Sequence, residues 1–198
     1  MFDSPPANVQ RPDAERPQRT GRSPAYTLTW GEPAIGRGAI DANAGGNVMA
    51  YTKAEIQAAF DNYVEAAQHG GATGDWSRWA ACFTEDVHYI EHLYGDFHGR
   101  QIVLDWITAT MREFPFNKMQ LFPWDWYTID EEQGFVIGQV QNRFVDPGDG
   151  GVYQEANWTR LVYAGNGLFS SEEDVYNPSR FSPMVEAWMA VWSAHHPD

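Results

Sequence analysis

The chain has 198 residues, of which 43% are hydrophobic and 15% aromatic. That supplies one well-buried core and excludes disorder over most of the length, but is short for two domains. Residues 1–50 carry five Arg against five acids, so the whole formal charge of −14 sits in residues 51–198. Such a surface repels phosphate backbones, and neither nucleic acid nor an anionic membrane is expected as a partner, although excess acid also serves solubility.

Cys82 is the single cysteine, which excludes an internal disulfide or a cysteine-based zinc site. Its setting, Trp79-Ala-Ala-Cys82-Phe83, predicts a buried and inert thiol. The opening residues lack the basic start and apolar run of a signal peptide, and no apolar stretch is long enough to span a bilayer. A soluble, cytoplasmic protein is expected.

Residues 1–50 hold six of the twelve prolines and six of the eighteen glycines without apolar periodicity, which predicts a flexible arm. Within it Tyr26, Leu28 and Trp30 alternate as a strip able to dock on the domain or on a second subunit; Met49 is an alternative start. A domain over 51–198 follows. Thr52-Lys-Ala-Glu55 forms a capping box, and Ile56, Ala59, Phe60, Tyr63, Val64 and Ala67 recur at helical spacing, with His69-Gly-Gly71 ending the helix. Asp75 caps a short second helix. Asp86–His92 reads as a strand and Gly95–Gly99 as a turn. A helix from about Arg100 to Phe114 then buries Val103, Trp106, Ile107 and Met111.

Four strand-like stretches follow, at Met119–Ile129, Gly134–Val145, Val152–Ala164 and Leu168–Tyr176. Short turns separate them, so an antiparallel meander is expected. Asn177-Pro178 opens a closing helix with Phe181, Met184, Val185, Trp188 and Trp192 inward. This order specifies an α+β fold with helices on one face of a curved antiparallel sheet and a pocket at the open end.

The run Trp79-x3-Phe83-Thr-Glu-Asp86-Val-x-Tyr89-x-Glu91, the Gly95-x3-Gly99-Arg100 helix start and the ending Glu172-Glu-Asp174-Val-Tyr176 resemble SnoaL-like proteins of the nuclear transport factor 2-like (NTF2-like) superfamily. The resemblance covers roughly residues 52–196 and implies a cone, its curved sheet wrapped around N-terminal helices, with a C-terminal helix. Such cones host isomerases, dehydratases, cyclases, epoxide hydrolases and non-catalytic carriers. Similarity to ketosteroid isomerases places a general base at Glu91 and an oxyanion-stabilising hydroxyl near Tyr63, with Thr159 where their second, acidic donor stands. Similarity to limonene epoxide hydrolases places the water-activating Asp at Asp174 and their first-strand Tyr and Asn at Tyr89 and Glu91. Val140 and Asn142 stand where those enzymes have Arg and Asp.

Strand alternation groups Tyr89 with Glu91, Asn157 with Thr159 and Asp174 with Tyr176, with Asn142 beside them, as pocket-facing positions. Asp174 and Glu91 are the expected acid–base pair, because a desolvated carboxylate exchanges protons nearer neutrality; the alternative for either is to cap backbone or pair with Arg160 or Arg143. Tyr89 and Asn142 complete the expected catalytic set. Tyr63, His92, Trp124, Asn157, Thr159 and Tyr176 are the expected substrate contacts, although alternation turns His92 to the opposite side of the strand. His88 and His92 alone do not make a metal site, and without a dinucleotide fingerprint or phosphate loop no cofactor or metal is expected. The expected function is cofactor-free acid–base chemistry on a small apolar metabolite, the alternative a non-catalytic binding or assembly module. Apolar residues on both faces near Phe135, Val136, Ile137 and Val140 suggest a homodimer through the outer face of the sheet.

Overall fold

The computed structural model describes residues 51–197, so the expected arm and its Tyr26–Trp30 strip lie outside the described residues. Helix α1 (Lys53–Thr73) opens on the expected capping box: Thr52 accepts from the Glu55 amide while the Glu55 carboxylate accepts from the Thr52 amide. It runs past Gly70 and Gly71 to end on left-handed Gly74. The two glycines act as packing surface rather than as a stop. A Cβ on Gly70 would meet the Trp76 ring at 2.6 Å, and one on Gly71 the Gln120 carbonyl oxygen at 2.3 Å.

A single-turn helix α2 (Ser77–Ala80), whose Ser77 amide donates to Asp75, leads into β1 (Phe83–Glu91). The predicted turn at Gly95–Gly99 is instead a strand, β2 (Gly95–His98), closing a hairpin with β1. Helix α3 (Arg100–Arg112) follows; only its Val103 is fully buried, and Trp106, Ile107 and Met111 pack on the core while partly exposed. The first meander strand divides into β3 (Met119–Leu121) and β4 (Trp124–Asp130) around Phe122-Pro123, where proline cannot donate to the ladder. Strands β5 (Phe135–Phe144), β6 (Gln154–Gly165) and β7 (Leu168–Val175) precede α4 (Pro178–His195).

The sheet runs β2-β1-β7-β6-β5-β3, with β4 also on β5. The meander is antiparallel as expected, but β1 lies parallel to β7, so the sheet is mixed. This parallel pairing puts the middle of the chain beside its last strand and brings Tyr89 and Glu91 opposite Glu172 and Asp174. Ile56, Phe60 and Tyr63 of α1 pack with Val136, Leu161 and Phe169 of the sheet in the main core. Trp188 of α4 anchors a second cluster with Met119 and Phe144, and its indole donates to the Val145 carbonyl.

Candidate active site

Three strands build the site by alternation. Thr159 and Asp174 are direct partners across β6 and β7, as are Leu161 and Glu172, while Asn157 pairs with Val140 on β5. Tyr89, Glu91, Asn157, Thr159, Glu172 and Asp174 therefore share the inner face, toward α1, as the register requires.

Asp174 is the hub. Its Oδ1 accepts from the Thr159 hydroxyl at 2.5 Å and the Asn157 amide at 2.6 Å, and its Oδ2 accepts from the Tyr89 hydroxyl at 2.5 Å. The Asn157 amide also donates to Thr159 Oγ1 at 2.8 Å, and its oxygen accepts from Asn142 at 2.7 Å, which fixes the orientation of both amides. Desolvation nevertheless raises the Asp174 carboxyl to about 6, and neighbouring Glu91 adds to the rise against the three donors. Tyr89, Asn157 and Thr159 are buried, whereas Asp174 remains partly exposed.

Sequence reasoning assigned no role to Glu172, although it has the same strand parity as Asp174 two residues on. It is 2% exposed; its Oε1 accepts from Tyr63 at 2.8 Å, with Tyr89 at 3.3 Å, and its Oε2 has no partner among the described residues. Burial and the charge of Asp174 hold its carboxyl well above the usual range, which favours its protonated form. Tyr63 donates to Glu172 Oε1, which also lies 3.3 Å from the Tyr89 hydroxyl, and Tyr89 makes its shorter bond, 2.5 Å, to Asp174. The single Tyr89 proton is thus committed to Asp174, as is Asn157, so two groups expected to hold a substrate oxygen instead hold the carboxylate.

Glu91 lies close by but is fully engaged. Its Oε2 accepts the amides of Leu93 (2.8 Å) and Tyr94 (2.6 Å), and its Oε1 accepts the Tyr176 hydroxyl. This is the backbone-capping alternative, at the β1–β2 turn. Trp124 faces inward, edge-on to Phe60 with centroids 4.8 Å apart, and packs on the core. His92 does not join the expected substrate contacts: one step past Glu91 it lies on the outer face, where its ring meets Glu173 at 3.1 Å.

Aromatic rings fill the inner face around the hub. Tyr89 sits 5.9 Å from Trp79 and 5.2 Å from Trp106, with Tyr94 at 5.9 Å from Trp106. A cavity of about 540 Å³ lies on the outer face, lined largely by polar side chains such as Gln139, Gln141 and Gln154, with Trp158 and Val175.

No family model and no curated protein matches the chain. Solved structures do. An NTF2-like protein from Anabaena variabilis aligns with a TM-score of 0.51 at 17% identity, over 66% of this chain and 95% of that one. A limonene-epoxide-hydrolase-like (LEH-like) epoxide hydrolase from M. tuberculosis aligns at 0.52 and 11%, over 72% and 98%. A proposed SnoaL-like polyketide cyclase from Jannaschia sp. aligns at 0.52 and 13%, over 68% and 93%. The domain has the NTF2-like α+β fold expected from its sequence.

Proposed function

We propose that the domain is a cofactor-free acid–base enzyme in which Asp174 exchanges a proton with a small apolar, ring-bearing metabolite carrying a carbonyl, hydroxyl or epoxide. The observation that carries this reading is a partly exposed carboxyl raised to about 6, held by three donors on buried residues. At neutral pH Asp174 is mostly ionised yet close enough to its midpoint to return the proton, the balance a general base needs. Tyr89, Thr159 and Asn157 fix its direction, and Asn142 fixes Asn157. Trp106, beside Tyr89, and Tyr94, against Trp106, supply aromatic surface for a ring. Glu91, consumed by two amides and Tyr176, acts as an anchor of the turn rather than as the base. Val140, where limonene epoxide hydrolases have Arg, argues against their unmodified mechanism.

Asp174→Asn keeps the shape and removes the base. With substrate found by mass spectrometry of co-purified ligand, or by screening cyclic ketones and epoxides, turnover falls by about two to four orders of magnitude. An acidic limb in kcat/KM near pH 6 is expected in the native protein. Unchanged turnover in Asp174→Asn overturns the assignment. The donor saturation of Asp174 also favours a second reading, a non-catalytic binder that retains ligand without turnover and is indifferent to this substitution.

We also propose that a second copy covers the outer face of the sheet. Trp126, Trp158 and Val175 are exposed, and the two indoles meet edge-on with centroids 5.7 Å apart. Light scattering of the full chain at micromolar concentration is expected to give a dimer that Trp158→Glu dissociates; a monomeric native chain rules it out.

A further inference from the structure

The hairpin of β1 and β2 gathers a cluster that the acid–base site does not use. His88 and His98 are direct cross-strand partners, and Asp96 lies two residues before His98, so all three project from the outer face, opposite Tyr89. The His88 and His98 rings stack with centroids 4.3 Å apart and planes 12° apart. One ligand atom from each of His88, Asp96 and His98 lies within 4.8 Å of the others.

The polar contacts of this cluster are incomplete. His88 Nε2 is shielded from solvent and makes no hydrogen bond among the described residues. It stands 3.5 Å from Asp96 Oδ2. That spacing is close to the separation of two ligands on one tetrahedral ion, about 3.3 Å for bonds of about 2.0–2.1 Å. Aspartate and histidine are also the ligand types that first-row divalent ions select, whereas calcium and magnesium select oxygen. Glu173, the neighbouring acid on β7, is engaged elsewhere: it bridges His92 and Arg160 at 3.1 and 3.3 Å.

We propose that His88, Asp96 and His98 form a binding site for one divalent transition-metal ion of the zinc type, with a fourth position open to water or another ligand. The ion satisfies His88 Nε2 and ties β2, the edge strand of the sheet, to β1. It also stiffens the Glu91–Gly95 turn, whose amides cap Glu91. The site is independent of the acid–base reading. The sequence obscured it because the partner of His88 was sought along its own strand at His92, while Gly95–Gly99 was read as a turn.

The test uses the full chain, stripped with chelator and titrated with ZnCl2 by calorimetry at pH 7.5, with cobalt(II) as a spectroscopic probe. One ion per chain is expected, together with the visible absorption of four-coordinate cobalt. His98→Ala, at an exposed position, is expected to weaken binding at least about tenfold and Asp96→Asn by several-fold, with far-ultraviolet circular dichroism unchanged. His195→Ala/His196→Ala, which removes the adjacent histidines at the end of α4, is expected to leave binding intact. Zinc should raise the melting temperature of the native chain but not of His98→Ala, because an ion that binds only the folded state stabilises it by mass action. The site is overturned by absence of saturable 1:1 binding, by native affinity in His98→Ala, or by loss of binding in the His195/His196 variant.

Discussion

Glu172 and Glu173 are adjacent, chemically identical and energetically opposite. Glu172 points into the domain, loses its hydration, keeps one oxygen without a partner among the described residues, and has its carboxyl pushed toward the protonated form. Glu173 points outward, where it remains accessible and bridges His92 and Arg160. The same division runs along β1, where Tyr89 enters the hydrogen-bond chain and His88 the outer cluster. One residue of register therefore decides whether a side chain belongs to a buried hydrogen-bonded network or to a solvated charge pattern. Residue type alone carries little of that information.

The largest expected consequence is on rate. Asp174→Asn on the inner face should lower turnover by about two to four orders of magnitude, while Glu173→Gln, one position away on the outer face, should change it less than about twofold. Equal effects would mean that the face of the strand does not select the chemistry. Both are read from kcat/KM on one substrate.

Next comes stability. Glu172→Ala opens a void in the core and strips Tyr63 of its acceptor, at a cost of about 3 kcal/mol. Glu173→Ala breaks only partly solvated pairs and should cost less than about 1 kcal/mol. Urea unfolding of the two variants against the native chain measures the gap. Glu172→Gln is the control: it mimics the neutral acid and should stay close to native, whereas a large loss there would mean that Glu172 is ionised in the fold.

Much of this was legible in the sequence, and the gaps have physical causes. The capping box, the meander and the α+β class are local patterns, and they gave the fold. The parallel β1–β7 pairing is not local, because its partners are some eighty residues apart and no short pattern encodes which edge the first strand joins. Strand β2 is four residues that start at Gly95 and are followed by Gly99, too short for alternation to distinguish it from a turn. In the site, parity correctly grouped Tyr89, Asn157, Thr159 and Asp174. It also points to Glu172, which shares the parity of Asp174, but parity does not tell which of two inward carboxyls meets a substrate and which is sealed in the core. Parity excluded His92 as well, which its position beside Glu91 had made attractive. The direction of the hydrogen bonds was not legible: Tyr89 and Asn157 were expected to serve a substrate, and only coordinates show their protons spent on Asp174.

The smallest effect, and the most direct probe of the inner face, is on pH-dependent stability. Asp174 titrates from the ordinary 3.8 in the unfolded chain to about 6 in the fold. Below 3.8 both states are protonated and the carboxyl carries no penalty. Between 3.8 and 6 the unfolded chain ionises while the fold keeps its proton, so stability declines as pH rises, and above 6 the loss levels off. Two units correspond to about 3 kcal/mol, and partial exposure of Asp174 brings the expectation to about 2 kcal/mol. Glu172 is raised as well and adds a decline of the same sign, so the native curve alone does not isolate Asp174. The difference between native and Asp174→Asn does. Denaturant unfolding at half-unit steps from pH 4 to 7.5 should show the variant gaining about 2 kcal/mol on the native chain, most of it before pH 6.5. A variant that tracks the native chain in parallel across that window would place the Asp174 carboxyl near its ordinary value and remove the support for a base poised near neutrality.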